Sequence, residues 1–397
     1  MKNVIFLSPN FPTNYWMFCR ELKKNGMNVL GIGDQPYDEL KQDLKDSLNE
    51  YYKVSSLENY EEVYRAVAFF IFKHGRIDWL ESNNEYWLER DAKLRDDFNI
   101  STGFHGEDMP RIKYKSIMKE YYRKFGLPVA RYYLVETLEG CQEFIGTVGY
   151  PVVAKPDNGV GASHTYKIAN DAELKEFYDN RKPDIVYIME EFVQGEVNSY
   201  DAIVDSQGVP MFETGNVTAL SIMDVVNNCD DSIFYIRKEL PDDIRNAGRN
   251  ALKSFGVKSR FVHFEFFRLT EDQPSLGKKG DVIGLEVNMR PSGGPTPDMI
   301  NFAHSTDVYK IWADMIAFDK STKPCGKHSF CAFAGRRDSK NYVMKKDDVI
   351  ARYGAQVKLA GRVDEALSGA MGNEMFLACF DTEEELRAYY DDILRVQ

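Results

Sequence analysis

FVHFEFFRL at residues 261–269 and VIGLEVNMRPSGG at residues 282–294 are the two stretches that decide the fold of this chain. Both alternate polar and apolar side chains with the period of two that is typical of β-strands. The segment between them, TEDQPSLGKKGD, is rich in glycine and charge and contains a proline, which indicates a turn region. We therefore predict an antiparallel hairpin.

One face of the predicted hairpin carries a cluster of polar side chains. The residues that share this face are His263, Glu265, Phe267, Glu286, Asn288 and Arg290. The opposite face of the second strand is apolar and consists of Leu285, Val287 and Met289. Two like charges about 4 Å apart repel by about 4 kcal/mol at an effective dielectric near 20, so a fold rarely keeps two such carboxylates without a cation between them. Oxygen ligands suit Mg²⁺ or Mn²⁺ rather than zinc, and we predict a metal site at Glu265, Glu286 and Asn288.

The length and composition indicate a folded chain of two to three structural units. It has 397 residues, of which 43% are hydrophobic and 28% charged, as in globular rather than disordered proteins. The formal net charge of −12 argues against a nucleic-acid partner, because such a partner normally requires a basic face. A nucleotide ligand is still compatible, since a few lysines and arginines can outweigh the global charge locally.

Cysteine usage and the first residues predict a cytoplasmic location. The six cysteines are scattered and include no C-x-x-C pair, which is typical of reduced thiols. The opening MKNVIFLSPNFP is typical of a first strand and lacks the apolar length and cleavage site of a signal peptide. The longest apolar run, residues 66–72, is too short to span a bilayer. We expect no membrane partner, and assembly as a homodimer stays open.

The chain is predicted to combine α/β and α+β architecture. Strands at 3–7, 28–32 and 78–82 alternate with helices at 14–25 and from about Glu61 onward. This order is typical of a Rossmann-like parallel sheet with helices on its faces. The glycine-rich dinucleotide fingerprint is missing after the first strand, where SPNFPTN stands. The last seventy residues indicate a small separate α+β lobe.

Lys155 lies on a predicted strand and is followed by DNGVGAS, residues 157–163. The glycines at positions 159 and 161 let the backbone approach a ligand, and successive N–H groups can bind an anion. The G-K-[ST] ending and the helix of a P-loop are absent. These residues alone support a phosphate-binding turn and a plain hairpin with a solvated lysine about equally.

A second candidate segment is EEFVQGE at residues 190–196, which ends an apolar strand. Backbone groups at such a strand-to-turn crossover can hydrogen-bond the edge of an adenine. A following carboxylate, here Glu196, can accept from two ribose hydroxyls. Taken alone, the segment is better explained as an exposed acidic strand end.

Five motifs occur in a fixed order along the chain. They are Lys115 eleven residues before Gly126, PVVAKPDNGVG at 151–161, MEEFVQGE at 189–196, FEF at 264–266 and LEVNMR at 285–290. In this order and spacing the chain resembles the ATP-grasp superfamily, in particular carboxylate–amine ligases such as L-amino-acid ligases, over about residues 110–300. The resemblance implies a pre-ATP-grasp domain at 1–109, a small lid lobe at 110–194, a large lobe with the metal hairpin at 195–325 and a C-terminal α+β lobe at 326–397.

The resemblance also implies how ATP would be held. The phosphates would be contacted by Lys115, Lys155, Asn158, Gly159, Gly161, Ala162 and Ser163. Adenine would be bound by Glu190 and by the backbone of Glu191, Phe192 and Val193, and the ribose by Glu196. Glu265, Glu286 and Asn288 would bind one or two Mg²⁺ or Mn²⁺ ions that bridge the phosphates. The catalytic residues would be Lys155, near the α-phosphate, and Arg290, which would stabilise negative charge on the transferring phosphoryl group or on the acyl phosphate.

The implied reaction converts a small-molecule carboxylate into an acyl phosphate, releases ADP and joins the acyl group to an amine. The similarity to biotin carboxylase ends after Arg290, where PSGGPTPD replaces the segment that serves bicarbonate deprotonation. A carboxylate–amine ligase is therefore favoured over a bicarbonate-using carboxylase, and both over a non-catalytic nucleotide-binding module.

Two groups of residues near these motifs keep alternative interpretations. Ser292, Gly293 and Gly294 either cradle a substrate carboxylate or only form the turn that leaves the strand. Arg336 and Arg337 either bind an anionic acceptor or form a solvated strand end, and the latter is favoured. Further alternatives stay open for three other residues. His164 and His263 either accept a proton from the incoming amine or are structural, and the latter is favoured. Arg237 either lies over the phosphates or is a surface charge.

Overall fold

The structure is a computed structural model that describes residues 1–159, 164–218, 225 and 229–397. Within these residues the strands form three sheets. None of the helices in these ranges is long and apolar enough to cross a membrane.

The first sheet is parallel and has four strands. They are β1 (Asn3–Leu7), β2 (Asn28–Gly33), β3 (Glu50–Lys53) and β4 (Trp79–Glu81), in the order β3-β2-β1-β4. The accompanying helices are α1 (Trp16–Lys24), α2 (Gln42–Ser47), α3 (Tyr60–His74), α4 (Leu88–Asp97) and α5 (Met109–Lys113). All residues of β1 and β2 are buried, because helices cover both faces of a parallel sheet. The predicted Rossmann-like sheet is confirmed, with β3 as a strand that the sequence pattern did not predict.

The second sheet is antiparallel and belongs to the predicted lid. Its strands are β5 (Tyr132–Leu134), β6 (Val152–Pro156), β7 (Tyr166–Ile168) and β8 (Tyr187–Glu191), in the order β5-β8-β6-β7. The helices of this region are α6 (Lys115–Lys124), α7 (Leu138–Val148) and α8 (Asp171–Asn180). The core of this unit includes Cys141, Val152, Ala154 and Met189.

The third sheet has nine strands. They are β9 (Gly195–Val204), β10 (Pro210–Thr214), β11 (Asn216–Thr218), β12 (Ser232–Ile236), β13 (Arg260–Leu269), β14 (Val282–Asn288), β15 (Phe330–Arg336), β16 (Val357–Arg362) and β17 (Glu374–Phe380). The order is β14-β13-β9-β11-β12-β15-β17-β16, with β10 paired to β9. The helices are α9 (Asp242–Ser254), α10 (Thr296–His304), α11 (Val308–Phe318), α12 (Lys346–Tyr353), α13 (Glu365–Met371) and α14 (Glu383–Ile393). The last three strands extend the large sheet instead of forming a sheet of their own.

The predicted hairpin is present, with one irregularity. Glu265 on β13 lies directly opposite Glu286 on β14, but Phe266 pairs with Gly284, so Leu285 is an extra residue in a β-bulge. Val287 and Met289 belong to the apolar core, as predicted. Leu285 was predicted on that apolar face and instead lines the cavity described below, because the bulge shifts the alternation by one residue.

A buried ion cluster joins the parallel sheet to the hairpin. The carboxylate of Glu81, at the end of β4, accepts from Arg95 Nη2 at 3.0 Å and from Arg260 at 2.6 and 3.0 Å. All three side chains are at most 2% exposed. Burial opposes ionisation of Glu81, but the charges of Arg260 and Arg95 outweigh it and lower its pKa. This cluster therefore fixes the first sheet against β13, the strand that carries Glu265.

Asp91, next to this cluster, is expected to make stability depend on pH. Burial and the charge of Glu81 raise its pKa to about 7 despite the attraction of Arg95. Between about pH 4 and 7 the folded chain holds a proton that the unfolded chain releases, so stability falls as pH rises, by at most about 1.4 kcal/mol per pH unit for one proton. We expect Asp91→Asn to reduce the loss of stability between pH 5 and pH 8, measured by chemical denaturation at both values. An unchanged pH slope would contradict this assignment.

Candidate active site

A cavity of about 420 Å³ lies between the lid sheet and the large sheet. The lid contributes Val153 and Lys155 from β6 and the end of β8. The large sheet contributes residues of β9, β11, β12, β13 and β14. Nearly all predicted site residues among the described ranges line this cavity.

The predicted metal ligands meet on the wall formed by β13 and β14. Glu265 and Glu286 are paired across the strands, and Asn288 donates from Nδ2 to Glu286 Oε1 at 3.4 Å. In the ranges that the structure describes, no three or more His, Cys, Asp or Glu residues cluster in a way that could hold a metal ion. Two carboxylates and one amide supply the oxygen donors that fit Mg²⁺, which usually takes few protein ligands and completes its shell with phosphate oxygens and water.

His263 supports the ionised state of Glu265. Its ring lies 2.8 Å from Asp201 through Nδ1 and 3.2 Å from Glu265 through Nε2. Burial alone would lower the pKa of His263, but the two carboxylates raise it to about 10, so the ring is an imidazolium at neutral pH. Burial opposes ionisation of Glu265, yet the hydrogen bond and charge of His263 lower its pKa. Glu265 is thus ionised at neutral pH, as the predicted metal ligation requires.

Two lysines, Lys115 and Lys155, line the cavity where phosphates are expected, and a third, Lys119, is fully buried close to Lys155. Lys115 Nζ lies 3.7 Å from Glu286 Oε2 and donates to the carbonyl of Gly159 at 3.3 Å. Lys155 and Lys119 both contact the same oxygen of Glu190, at 3.2 and 3.1 Å. One oxygen of the Glu190 carboxylate therefore lies within ion-pair distance of both lysines, and Glu190 also lines the cavity.

The rest of the predicted phosphate loop is only partly described. Gly159 lines the cavity, whereas Asn158 is not part of its lining and its Nδ2 donates to Glu89 at 3.3 Å. Gly161, Ala162 and Ser163 lie outside the described residues.

The predicted nucleoside segment follows β8 along the cavity. Glu191, Phe192, Val193 and Glu196 all line it. The side chain of Glu191 binds Arg131 at 2.7 Å, and the carbonyl of Phe192 accepts from Gln273 Nε2 at 2.8 Å. Glu196 is close to Arg237, at 3.7 Å, which places that arginine beside the ribose position that the resemblance implies.

Arg290 lines the same cavity as the predicted metal ligands Glu265, Glu286 and Asn288. Its Nη2 donates to Asn288 Oδ1 at 3.2 Å, and its Nε lies 3.6 Å from Glu85. Ser292 and Gly293 line the cavity, but Gly294 does not. Gly294 has a φ of +60°, and a Cβ there would lie 2.6 Å from the Met371 side chain, so its role is to seat that methionine.

No protein-family model matches the chain. Solved structures do match it along nearly its whole length. An L-amino acid ligase from Bacillus licheniformis superimposes with a TM-score of 0.72 and 14% identity, over 100% of this chain and 98% of that chain. The N5-carboxyaminoimidazole ribonucleotide synthetase from Thermotoga maritima superimposes with a TM-score of 0.68 and 16% identity, over 98% of this chain and 96% of that chain. A third match is the biotin carboxylase domain of a 2-oxoglutarate carboxylase from Hydrogenobacter thermophilus, crystallised with MgADP, ADP and bicarbonate. It superimposes with a TM-score of 0.67 and 12% identity, over 100% of this chain and 90% of that chain.

The chain has the ATP-grasp fold. The fold predicted from the five motifs is thereby confirmed, including the N-terminal parallel sheet and the large antiparallel sheet. Identities of 12–16% establish the fold but assign neither substrate nor residue roles.

Several cavity residues among those that the structure describes had no signal in the sequence. Those contributed by β11, β12, α10 and α13 are Asn216, Thr218, Ser232, Phe234, Thr296, Ala370 and Met371. Together with Ser292 and Gly293 we call them the far end of the cavity. They come from four separate segments, so no local motif brings them together. Lys119 was also missed, although it lies four residues after Lys115 on the same helix face.

Arg336 and Arg337 belong to neither of the two predicted environments. Arg336 is buried and stacks near the rings of Tyr342 and Phe376, at 4.6 and 4.9 Å. Arg337 is buried and donates to the carbonyls of Ser368 and Gly369, at 2.7 and 2.8 Å. Neither lines the ATP-grasp cavity, and neither is a solvated strand end.

Glu190→Gln is expected to weaken ATP binding. The substitution leaves Lys119 and Lys155 buried next to each other without their carboxylate, and breaking a buried ion pair costs about 3–5 kcal/mol. We expect the Kd for ATP, measured by titration calorimetry with Mg²⁺, to rise about tenfold or more. Glu120→Gln on α6 is the control, because its carboxylate pairs with Arg123 on the surface. Equal Kd values for Glu190→Gln and wild type would contradict the role of Glu190 in holding Lys155.

Proposed function

We propose that the protein is an ATP-dependent ligase that joins a carboxylate to an amine through an acyl phosphate. The observation that supports this most is the continuous wall on which Glu265, Glu286 and Asn288 lie beside Arg290, with Lys155 facing them from the lid. Such an arrangement neutralises charge along a line from the nucleotide phosphates to the far end of the cavity.

The proposed first step transfers the γ-phosphoryl group. A carboxylate oxygen of the substrate attacks the γ-phosphorus, the bond from that phosphorus to the β,γ-bridging oxygen breaks, and ADP leaves. Lys155 and Lys115 position the phosphates, and Arg290 stabilises negative charge on the transferred group. Mg²⁺ or Mn²⁺, held by Glu265, Glu286 and Asn288, would neutralise phosphate charge during this transfer.

The proposed second step forms the C–N bond. The amine nitrogen attacks the acyl carbon, inorganic phosphate leaves, and the amine loses a proton. Water must be kept from the acyl phosphate, which the lid sheet over the cavity favours. We propose that residues 110–194 move in this closure against the rest of the chain, which the proposed domain division splits into residues 1–109, 195–325 and 326–397.

A bicarbonate-using carboxylase is the less favoured alternative. The far end of the cavity is lined by Phe234, Ala370 and Met371, apolar groups that bicarbonate cannot use. These residues favour a larger organic acid.

Product analysis tests the proposal. Purified protein, ATP and Mg²⁺ with pools of amino acids should release ADP and phosphate, and ¹⁸O from a labelled carboxylate should appear in the phosphate. Release of AMP would indicate adenylation and refute the acyl phosphate. Turnover that needs bicarbonate would support the carboxylase instead.

A further inference from the structure

We infer that the far end of the cavity selects a carboxylic acid with a compact apolar group, and that Phe234 and Met371 limit the size of that group. This inference rests on the proposed ligase function and adds the class of carboxylic acid that the ligase would use. The far end comprises Asn216, Thr218, Ser232, Phe234, Ser292, Gly293, Thr296, Ala370 and Met371.

The charge distribution fixes the orientation of the acid. Arg290 is the cation at the entrance to the far end, and its Nη2 is within 3.2 Å of Asn288. The N-terminus of the nine-residue helix α10, at Thr296, lies on the same side and also favours negative charge. The carboxylate therefore lies toward Arg290 and the metal ligands, and the rest of the acid extends into the far end.

The far end offers neutral contacts. Of its lining residues that the structure describes, none carries a charged side chain. Asn216, Thr218 and Ser232 can form hydrogen bonds, while Phe234, Ala370 and Met371 are apolar. A charged group on the substrate would lose its hydration here without a partner of opposite charge. An apolar group on the substrate would instead be stabilised when it is buried there.

Phe234 is held rigidly in place. Its ring stacks on Phe333 with centroids 4.5 Å apart and an interplanar angle of 17°. Its carbonyl accepts from Tyr390 Oη at 2.8 Å. This wall cannot move away to admit a larger group.

Met371 is held from two sides by glycines. A Cβ on Gly335 of β15 would lie 1.9 Å from the Met371 carbonyl oxygen, so only glycine permits this approach. A Cβ on Gly294 would lie 2.6 Å from both Sδ and Cε of Met371. The backbone and the side chain of Met371 are therefore both closely packed, and the methionine acts with Phe234 as a size limit in the same cavity.

The test uses hydroxylamine as the amine, so that the natural amine need not be known. Hydroxamate and ADP formation are measured with alanine, valine, leucine and phenylalanine, with the same acids lacking the amino group, and with aspartate and lysine. We expect kcat/KM for the best apolar acid to exceed that for aspartate and lysine at least about tenfold.

Two substitutions should move the size limit in opposite directions. Met371→Ala should raise the kcat/KM ratio of the phenyl acid to the smallest acid about tenfold or more, and Ala370→Leu should lower it. Met375→Ala is the matched control, because this half-buried methionine on β17 does not line the cavity. Circular dichroism and the Kd for ATP verify that each variant is folded.

The outcomes separate this inference from the proposed function. If hydroxamate forms but Met371→Ala leaves the kcat/KM ratio of the phenyl acid to the smallest acid unchanged, the size limit is wrong. A preference for the charged acids would also refute it. In both cases the proposed ligase function stands. Absence of both ADP and hydroxamate with every acid overturns the ligase and the inference with it. If Met371→Ala shifts this kcat/KM ratio and Met375→Ala does not, the result supports both the size limit and the ligase function.

Discussion

Glu286→Gln should lower kcat for ADP formation by about 10³-fold, because it removes one of two carboxylates at the proposed metal site. Glu286 lies opposite Glu265, and its nearest cation is Lys115 at 3.7 Å. The amide that replaces the carboxylate carries no negative charge, so it would hold the proposed metal ion less strongly. The positive charge of that ion is what offsets the negative charge on the transferred phosphoryl group. The measurement is single-turnover ADP formation at saturating Mg²⁺.

The same variant should keep its fold. The Glu286 side chain is 25% exposed, so the free energy of unfolding should change by about 1 kcal/mol or less. Glu271→Gln, in the exposed turn of the same hairpin, is the control and should keep wild-type kcat. A Glu286→Gln variant with wild-type turnover would show that the metal assignment is wrong.

Glu81→Gln should be strongly destabilising. The neutral amide would leave Arg95 and Arg260 buried, at most 2% exposed, without the carboxylate that both guanidinium groups contact. Removing one partner from a buried ion cluster costs about 3–5 kcal/mol, because an uncompensated charge remains. The free energy of unfolding, from guanidinium denaturation at pH 7, should fall by this amount.

The control for this prediction is Glu58→Gln in the same N-terminal unit. Glu58 is 59% exposed and lies 3.7 Å from Arg90, so its loss should change the free energy of unfolding by about 0.5 kcal/mol or less. Similar effects of the two substitutions would show that the buried cluster does not hold the first sheet to β13.

The hairpin and its polar face could be predicted from the sequence, because the alternation of polar and apolar side chains along a strand is a local property. The pairing of Glu265 with Glu286 follows from a nine-residue and a thirteen-residue stretch and the turn between them, all within the 34 residues from Phe261 to Gly294. The position of Leu285 could not be predicted, because a bulge changes which face a residue occupies without changing the pattern around it.

The far end of the cavity could not be predicted for a different reason. Phe234 and Met371 are 137 residues apart and line the same cavity only through the pairing of β12 with β15 and the close approach of Met371 to Gly335. The role of Glu190 was likewise hidden, because its partner Lys119 is recognisable only when α6 is placed against β8. Long-range packing, not local propensity, creates both features.

The most direct test is a crystal structure of the protein with Mg²⁺ and a non-hydrolysable ATP analogue. We expect an octahedral ion with oxygens of Glu265, Glu286, Asn288 and the phosphates at about 2.0–2.1 Å, and the γ-phosphate facing Arg290. A nucleotide bound elsewhere, or an ion without contact to these three side chains, would contradict the account.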